Sequence, residues 1–472
     1  MTAATSTPSP RRAERMTARA WALLLVVCGA LFLEGIDIAM LNVAVPVISD
    51  DLGVADHDAH WIISAYVLGY AGFMLLGGRV SDLVGRRRVF LGALVVFIGF
   101  SVLGGVATAG WILVVARFAT GVAAAFLTPA GFSIVTTSFP EGPLRTRALA
   151  VYGAVGAAGF TLGTVAGGAL TSVGWRWVFF APVVIGLALL AVAVRPIRAD
   201  GPRASLVGSF DLAGAVTATG GMVALVLAVV SASEGGLSPG ALAGAVLAAA
   251  LFVAFVVVER RAAAPLVRLG LLREGLLAHA GAVGLLFMGA FFGFQFVLTL
   301  YLQELRGWSP LEVGLTFAIM GADLLLAPLL APRLVQRLGS AVVMTLGVAA
   351  GLGSYLLVLR LTDDWAYLDL LPSLLLVAVA FALVYGPLTD AATEGIREDE
   401  HGVAGGVVYT AFQFGGALGL ALVTAVLVAG DGPPALADHT RALLVPAVAT
   451  GLALVIGLAA SRRQRRLTRP VG

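Results

Sequence analysis

Glu34 and Asp37 lie in LFLEGIDIAMLNVAVP, residues 31–46, a run otherwise apolar enough to cross a bilayer. A carboxylate near the middle of a membrane helix costs about 2.5–3.5 kcal/mol on insertion scales, so such groups persist where they face a protein interior or an aqueous path. Three residues apart, the two acids share one helix face. In a medium of low dielectric, neighbouring carboxylates disfavour being ionised together, and one of them is then suited to take up and release a proton. That is the chemistry of a proton-coupled carrier. The competing use is static, an acid that only hydrogen-bonds a neighbouring helix. Arg117 supplies a cation within another apolar run, and either Glu34 or Asp37 is a possible partner for it. Pairing favours the charged acid while burial favours the neutral one, a balance that suits proton exchange; a fixed ion pair is the alternative.

The second half of the chain carries fewer such groups. Asp323 falls about twelve residues, roughly 18 Å of helix, into the apolar run 312–331, too deep for its short side chain to reach the surface. It needs water, a donor or a substrate cation. Gln295 and Gln413 are candidate cavity hydrogen-bonders or helix-packing contacts. Phe291, Phe292, Phe294 and Phe296 are candidate walls of an apolar pocket, with helical rotation turning at least half of them elsewhere. Asp390 and Glu394 end an apolar run, where solvation is expected. DHDAH, Asp56 to His60, reads as a loop in which Asp58 complements a helix N-terminus, and no metal site is assigned.

The elements that position these groups are membrane helices. Residues AVILMFWYC make up 59% of the 472-residue chain and charged residues only 12%, with a mean hydropathy of +0.98, far from a soluble domain. Windows of about 20 apolar residues fall near 21–46, 61–80, 88–108, 111–132, 147–172, 177–194, 212–233, 240–258, 276–301, 312–331, 341–360, 366–388, 403–429 and 441–460. This predicts fourteen transmembrane helices with both termini on one side. Arginines crowd that side, at Arg86 to Arg88, Arg145, Arg147, Arg195, Arg198, Arg260 to Arg273, Arg333, Arg337, Arg397 and both tails, which makes it cytoplasmic. All the Lys and Arg content is arginine, which with abundant Ala, Gly and Val implies a GC-rich bacterial genome and hence the inner, cytoplasmic cell membrane. The basic start at Arg11, Arg12, Arg15 and Arg19 precedes a run too long, and too acidic, for a cleaved signal, so it reads as a retained first helix. Cys28 stands alone and excludes an internal disulfide. No G-x-S-x-G, H-E-x-x-H or G-x-x-x-x-G-K-[ST] pattern occurs, so neither an enzyme nor an ATP-driven pump is indicated. Scattered arginines exclude nucleic acid as a partner.

Several motifs add to this reading. GGRVSDLVGRRRVF, Gly77 to Phe90, resembles the signature cytoplasmic loop of the major facilitator superfamily, with Gly78, Asp82, Gly85, Arg86 and Arg87 at its principal positions. Asp37, Asn42 and Pro46 in D-x-x-x-x-N-V-A-V-P resemble the first-helix motif of that superfamily's fourteen-helix drug:proton antiporter branch. ARFATGVAAA, with Arg117 and Gly121, is similar to its helix-4 arginine motif, with Thr120 where Gln is common. GAVGAAGFTLGTVAGG, with Gly159, Gly163, Gly167 and Gly168, resembles the antiporter motif of helix 5, although Thr164 stands where Pro is usual.

The resemblance implies an all-α major-facilitator fold: an N-terminal tail, 1–19; a six-helix bundle, 20–200; two inserted helices, 201–272; a second six-helix bundle, 273–461; and a C-terminal tail, 462–472. APRLVQRLG, Ala331 to Gly339, weakly repeats the signature loop in the second half. The implied activity is proton-coupled export of amphipathic, often cationic, drugs or antibiotics by a monomer in contact with lipid. Asp37, Glu34 and Arg117 would couple protons, the signature loop would control conformation, and Asn42, Gln295, Asp323 and Gln413 would line the substrate cavity. No cofactor is called for. A dedicated exporter of one natural product, and a binding or scaffold protein without transport, remain open alternatives.

Overall fold

In the computed structural model the chain is all-helical over the residues described, 16–59, 61–139, 143–193, 195–197, 211–235, 238–262, 265, 268–397, 401–427 and 434–467. The first helix, α1 (Ala18–Leu52), starts where the Thr17 hydroxyl accepts the Ala20 N–H at 3.2 Å. It ends at Gly53, whose φ of 62° suits a residue without Cβ. A helix apolar all round is buried all round, and every residue from Ile36 to Pro46 is buried. The sequence window for this helix closed at Pro46, but the helix runs six residues further, because one proline removes a single backbone bond without ending the segment.

Helices α2 (Trp61–Val84), α3 (Arg86–Gly105), α4 (Gly110–Ser138), α5 (Pro143–Val173) and α6 (Trp177–Ala193) follow, and pack with α1 into one bundle. Helices α7 (Leu212–Gly235) and α8 (Pro239–Arg261) form a hairpin whose α7 leans on α2. A second bundle comprises α9 (Leu277–Leu300), α10 (Pro310–Leu338), α11 (Ser340–Val358), α12 (Tyr367–Thr393), α13 (His401–Leu427) and α14 (Leu444–Leu467). Among the described residues, ten helices are long and apolar enough to cross a membrane, and shorter apolar helical stretches fall at 61–74, 158–173, 177–193 and 213–229.

Gly159, Gly163 and Gly167 recur every four residues on α5 and meet α1 at Phe32, Ile36 and Met40, which also recur every four. A Cβ on Gly163 would lie 2.7 Å from the Ile36 Cα, and one on Gly167 2.6 Å from the Met40 Cα. Small residues thus let the two backbones touch, which drives helix association where lipid and side chain are equally apolar. Gly168, one residue on, turns instead to the second bundle, where its Cβ would meet the Pro310 carbonyl of α10 at 2.5 Å. The bundles therefore close on each other at the end where α1 and α5 finish, and α2 meets α13 along the same seam. No residue in the far part of α10, Asp323–Leu338, is fully buried.

The segment 77–90, expected as a loop, is almost entirely helix. Gly77 to Val84 complete α2, Gly85 alone breaks the chain at a φ of 113°, and α3 begins at Arg86. Gly78 therefore serves no reversal. Helix α10 is not uniform either: its turn Ile319–Ala322 tightens to a 3-10 helix immediately before Asp323.

Gly163→Leu is expected to destabilise the protein by about 1–3 kcal/mol through overpacking, whereas Gly92→Ala, at a site with nothing within 4 Å, leaves it unchanged. Thermal unfolding followed by fluorescence-detected gel filtration in detergent compares the two.

Candidate functional site

The face of α1 opposite the α5 glycines carries the acids towards α2 and α4. Both side chains are buried, Glu34 at 2% and Asp37 at 0% exposure. Arg117 of α4, at 1% exposure, donates from Nη1 to Asp37 Oδ2 at 2.6 Å and from Nε to the Ile62 carbonyl at 3.3 Å. Its guanidinium lies 4.3 Å from the ring centroid of Tyr66, a cation–π contact strengthened by the absence of water. The choice of partner left open by the sequence falls to Asp37. Gly121, one turn along α4, lets Arg117 come this close, since its Cα lies against the backbone of Tyr66.

Glu34 has a different environment. Its Oε2 accepts hydrogen bonds from Tyr70 of α2 at 2.9 Å and from Thr128 of α4 at 2.5 Å. The two hydroxyls also lie within bonding distance of each other, and the Thr128 carbonyl accepts from Tyr152 of α5 at 3.4 Å. All the groups bonded to Glu34 here are neutral. Oε1 of Glu34 and Oδ1 of Asp37 are buried with no hydrogen-bond partner among the described residues. The pair thus divides into one acid neutralised by a guanidinium and one held by hydroxyls that serve either protonation state, since a hydroxyl both donates and accepts. Tyr70, Thr128 and Tyr152 escaped the sequence reading; hydroxyls within apolar helices facing an intramembrane acid were the available signal.

Further out along α1, Asn42 donates from Nδ2 to Oε1 of Gln295 on α9 at 3.3 Å. A π-helical turn, Tyr301–Leu305, extends α9 and brings Gln303 to the Val43 carbonyl at 2.8 Å. Both bonds join the two bundles. Phe291, Phe292, Phe294 and Phe296 are all buried. Phe291 and Phe292 stack on Phe160 of α5 at 5.4 and 6.2 Å, Phe291 also on Phe381 of α12 at 4.5 Å, and Phe294 on Tyr355 at 5.0 Å.

Asp323 is half-buried, with Oδ1 enclosed and lacking a hydrogen-bond partner. Gln413 is half-buried on α13. Neither is drawn into the bonds around Glu34 and Asp37. Arg86 and Arg87 are half-buried at the start of α3, while the side chain of Asp82, like that of His57 and all of His60, lies outside the described residues. Glu394, expected in solvent, instead accepts from Ser340 at 2.9 Å and from Gln464, tying α11, α12 and α14 together at one end. Asp390 is exposed as expected. The WRW segment staples the other end, with Trp175 Nε1 and Arg176 Nη1 donating to Asp51 at 2.9 and 3.2 Å.

A family model described as the Major Facilitator Superfamily matches residues 27–420. The chain belongs to the major facilitator superfamily. Relatives within the superfamily include a cephamycin export protein, CmcT, of Amycolatopsis lactamdurans, 39% identical over 90% of this chain and 88% of its own. The puromycin resistance protein pur8 of Streptomyces alboniger is 37% identical over 93% and 86%. A lincomycin resistance protein of Streptomyces lincolnensis is 32% identical over 95% and 93%. In fold, the chain resembles the POT family transporter PepTSo, with a TM-score of 0.67 at 14% identity over 95% of this chain and 99% of that one. A POT family transporter in complex with 5-aminolevulinic acid gives 0.69 at 16% identity, over 94% and 96%.

Breaking a buried ion pair from one side strands the other charge, at about 3–5 kcal/mol. Asp37→Asn and Arg117→Gln are each expected to lower thermal stability more than Glu34→Gln, whose new amide oxygen still accepts from Tyr70 and Thr128. The double variant Asp37→Asn/Arg117→Gln is expected to be less destabilised than the sum of the singles. A double-mutant cycle on unfolding in detergent reads this directly.

Proposed function

We propose that this chain is a proton-coupled secondary exporter of amphipathic, often cationic, drugs or antibiotics, working by alternating access in the inner membrane of a bacterium. The observation that carries the coupling is the buried acid pair: Asp37 bonded to Arg117, and Glu34, three residues away, bonded among the described residues to neutral hydroxyls. An acid so placed binds a proton or a substrate cation at the same carboxylate, and competition between the two links their movements in opposite directions. The export and resistance proteins among the relatives support the direction of transport.

In this reading the ten long helices and the four shorter apolar ones each cross the bilayer, fourteen in all, with both termini in the cytoplasm as the arginines require. Residues 20–200 and 273–461 are the two rocking halves, the hairpin within 201–272 is inserted between them, and the protein acts as a monomer. The seam closed by Gly168, Pro310, Val43 and Gln303 is then the outer gate. Gly78, Asp82, Gly85, Arg86 and Arg87 control the opposite, cytoplasmic gate. Asn42, Gln295, Asp323 and Gln413 contribute to the substrate path, with Asp323 adding a second attraction for cations. A dedicated natural-product exporter is the second reading, favoured by the relative named for cephamycin export.

Proton release on substrate addition, and dye efflux driven by an imposed pH gradient in proteoliposomes, test the main reading. Asp37→Asn is expected to abolish gradient-driven efflux, with Glu34→Gln milder or selective among substrates and Asp323→Asn weakening only cations. Wild-type efflux by Asp37→Asn at matched reconstitution would overturn the assignment. Asp82→Asn is expected to slow turnover while equilibrium affinity for the same dye stands; a loss of affinity with turnover intact would place Asp82 elsewhere.

A further inference from the structure

Asn42 and Gln295 come from opposite bundles and are 1% and 0% exposed. A primary amide offers two N–H donors and a carbonyl acceptor, and two amides brought face to face ordinarily exchange two bonds. Here a single bond of 3.3 Å forms, from Asn42 Nδ2 to Gln295 Oε1. Among the described residues, the Oδ1 of Asn42 and the Nε2 of Gln295 are both buried without a partner. Whichever way the two amides are turned, one acceptor and one donor are left over, one on each side of the seam. Buried polar groups are costly to leave unmade, so a pair of opposite kind that persists at one place calls for an occupant.

The surroundings narrow the chemistry of that occupant. Phe291 and Phe292 lie four and three residues before Gln295 on α9, on its own face of the helix. With Phe160 and Phe381 they make an aromatic wall across the same seam. Asp37 is neutralised by Arg117, so the nearest acid on α1 adds little attraction for a cation here.

We propose that Asn42 and Gln295 read a secondary amide, an adjacent N–H and C=O, on an uncharged aromatic substrate. The substrate carbonyl accepts from Gln295 Nε2 and its N–H donates to Asn42 Oδ1, the two atoms that the bond between the bundles leaves unused. Recognition of an uncharged group is then separate from the acid-dependent recognition of cations at Glu34. The inference rests on the exporter reading above and names a substrate chemistry within it.

The test measures equilibrium binding to the purified full chain in nanodiscs with two probes. Chloramphenicol is uncharged and carries an aromatic ring and a secondary amide; tetraphenylphosphonium is a cation without donor or acceptor. Asn42→Leu/Gln295→Leu keeps the volume apolar and is expected to weaken chloramphenicol by about tenfold or more, the scale of two hydrogen bonds, and tetraphenylphosphonium far less. The exchanged pair Asn42→Gln/Gln295→Asn retains both amides and is expected to restore chloramphenicol binding. Equal losses for both probes, or undiminished chloramphenicol binding by the leucine variant, would overturn the proposal. Wild-type protein that binds tetraphenylphosphonium but not chloramphenicol would overturn it while leaving the exporter reading in place; binding of neither would overturn both.

Discussion

A guanidinium and two carboxylates enclosed among apolar helices must find their partners within the protein, because the hydrocarbon around them offers none. Much of the N-terminal bundle follows from that requirement. Arg117 is held by Asp37, the Ile62 carbonyl and the Tyr66 ring, so α1, α2 and α4 meet at one point. Glu34 draws Tyr70 and Thr128 from the same two helices. The polar side of α1 is thereby committed, and its other side is free to lie against the glycine face of α5.

The same economy of side chains governs the seam between the bundles. Where α5 leaves α1, Gly168 lets α10 of the second bundle approach to backbone contact, and Gly314 returns the favour, its Cβ position lying 2.8 Å from the Thr164 carbonyl. Thr164, standing where the antiporter motif usually has proline, bonds its hydroxyl to the Phe160 carbonyl at 3.0 Å and keeps the backbone N–H that proline would lack, and α5 is continuous through this contact. Small residues bring the two backbones together here, and Phe160 packs on Phe291 and Phe292 across the same seam.

The inserted hairpin has its own place in this arrangement. Helix α7 packs on α2 of one bundle and α13 of the other, and Thr219 bonds the Gly72 carbonyl of α2. Most of α8 faces outward, with Val246 and Val253 at 68% and 64% exposure, the apolar surface expected of a helix turned to lipid. The hairpin therefore covers the seam from one side and is bonded to the first bundle.

The sequence by itself showed that the chain is built of membrane helices and that Glu34, Asp37 and Arg117 stand out within them. An intramembrane acid or arginine is costly enough to be conspicuous in any apolar run, and twenty such residues in succession specify a crossing whatever surrounds them. It also located the glycine motif of α5, which depends on the absence of a Cβ, whereas the single break at Gly85, within a segment read as a loop, emerged only in the structure. The tertiary structure alone decided the partners: Asp37 rather than Glu34 for Arg117, hydroxyls for Glu34, Asn42 for Gln295 across 253 positions of sequence, and Gln464 for Glu394. Those pairings depend on the rotation and depth of one helix against another. Helices apolar on every side carry almost no periodic signal of which face turns inward, so that choice is made only when the helices pack.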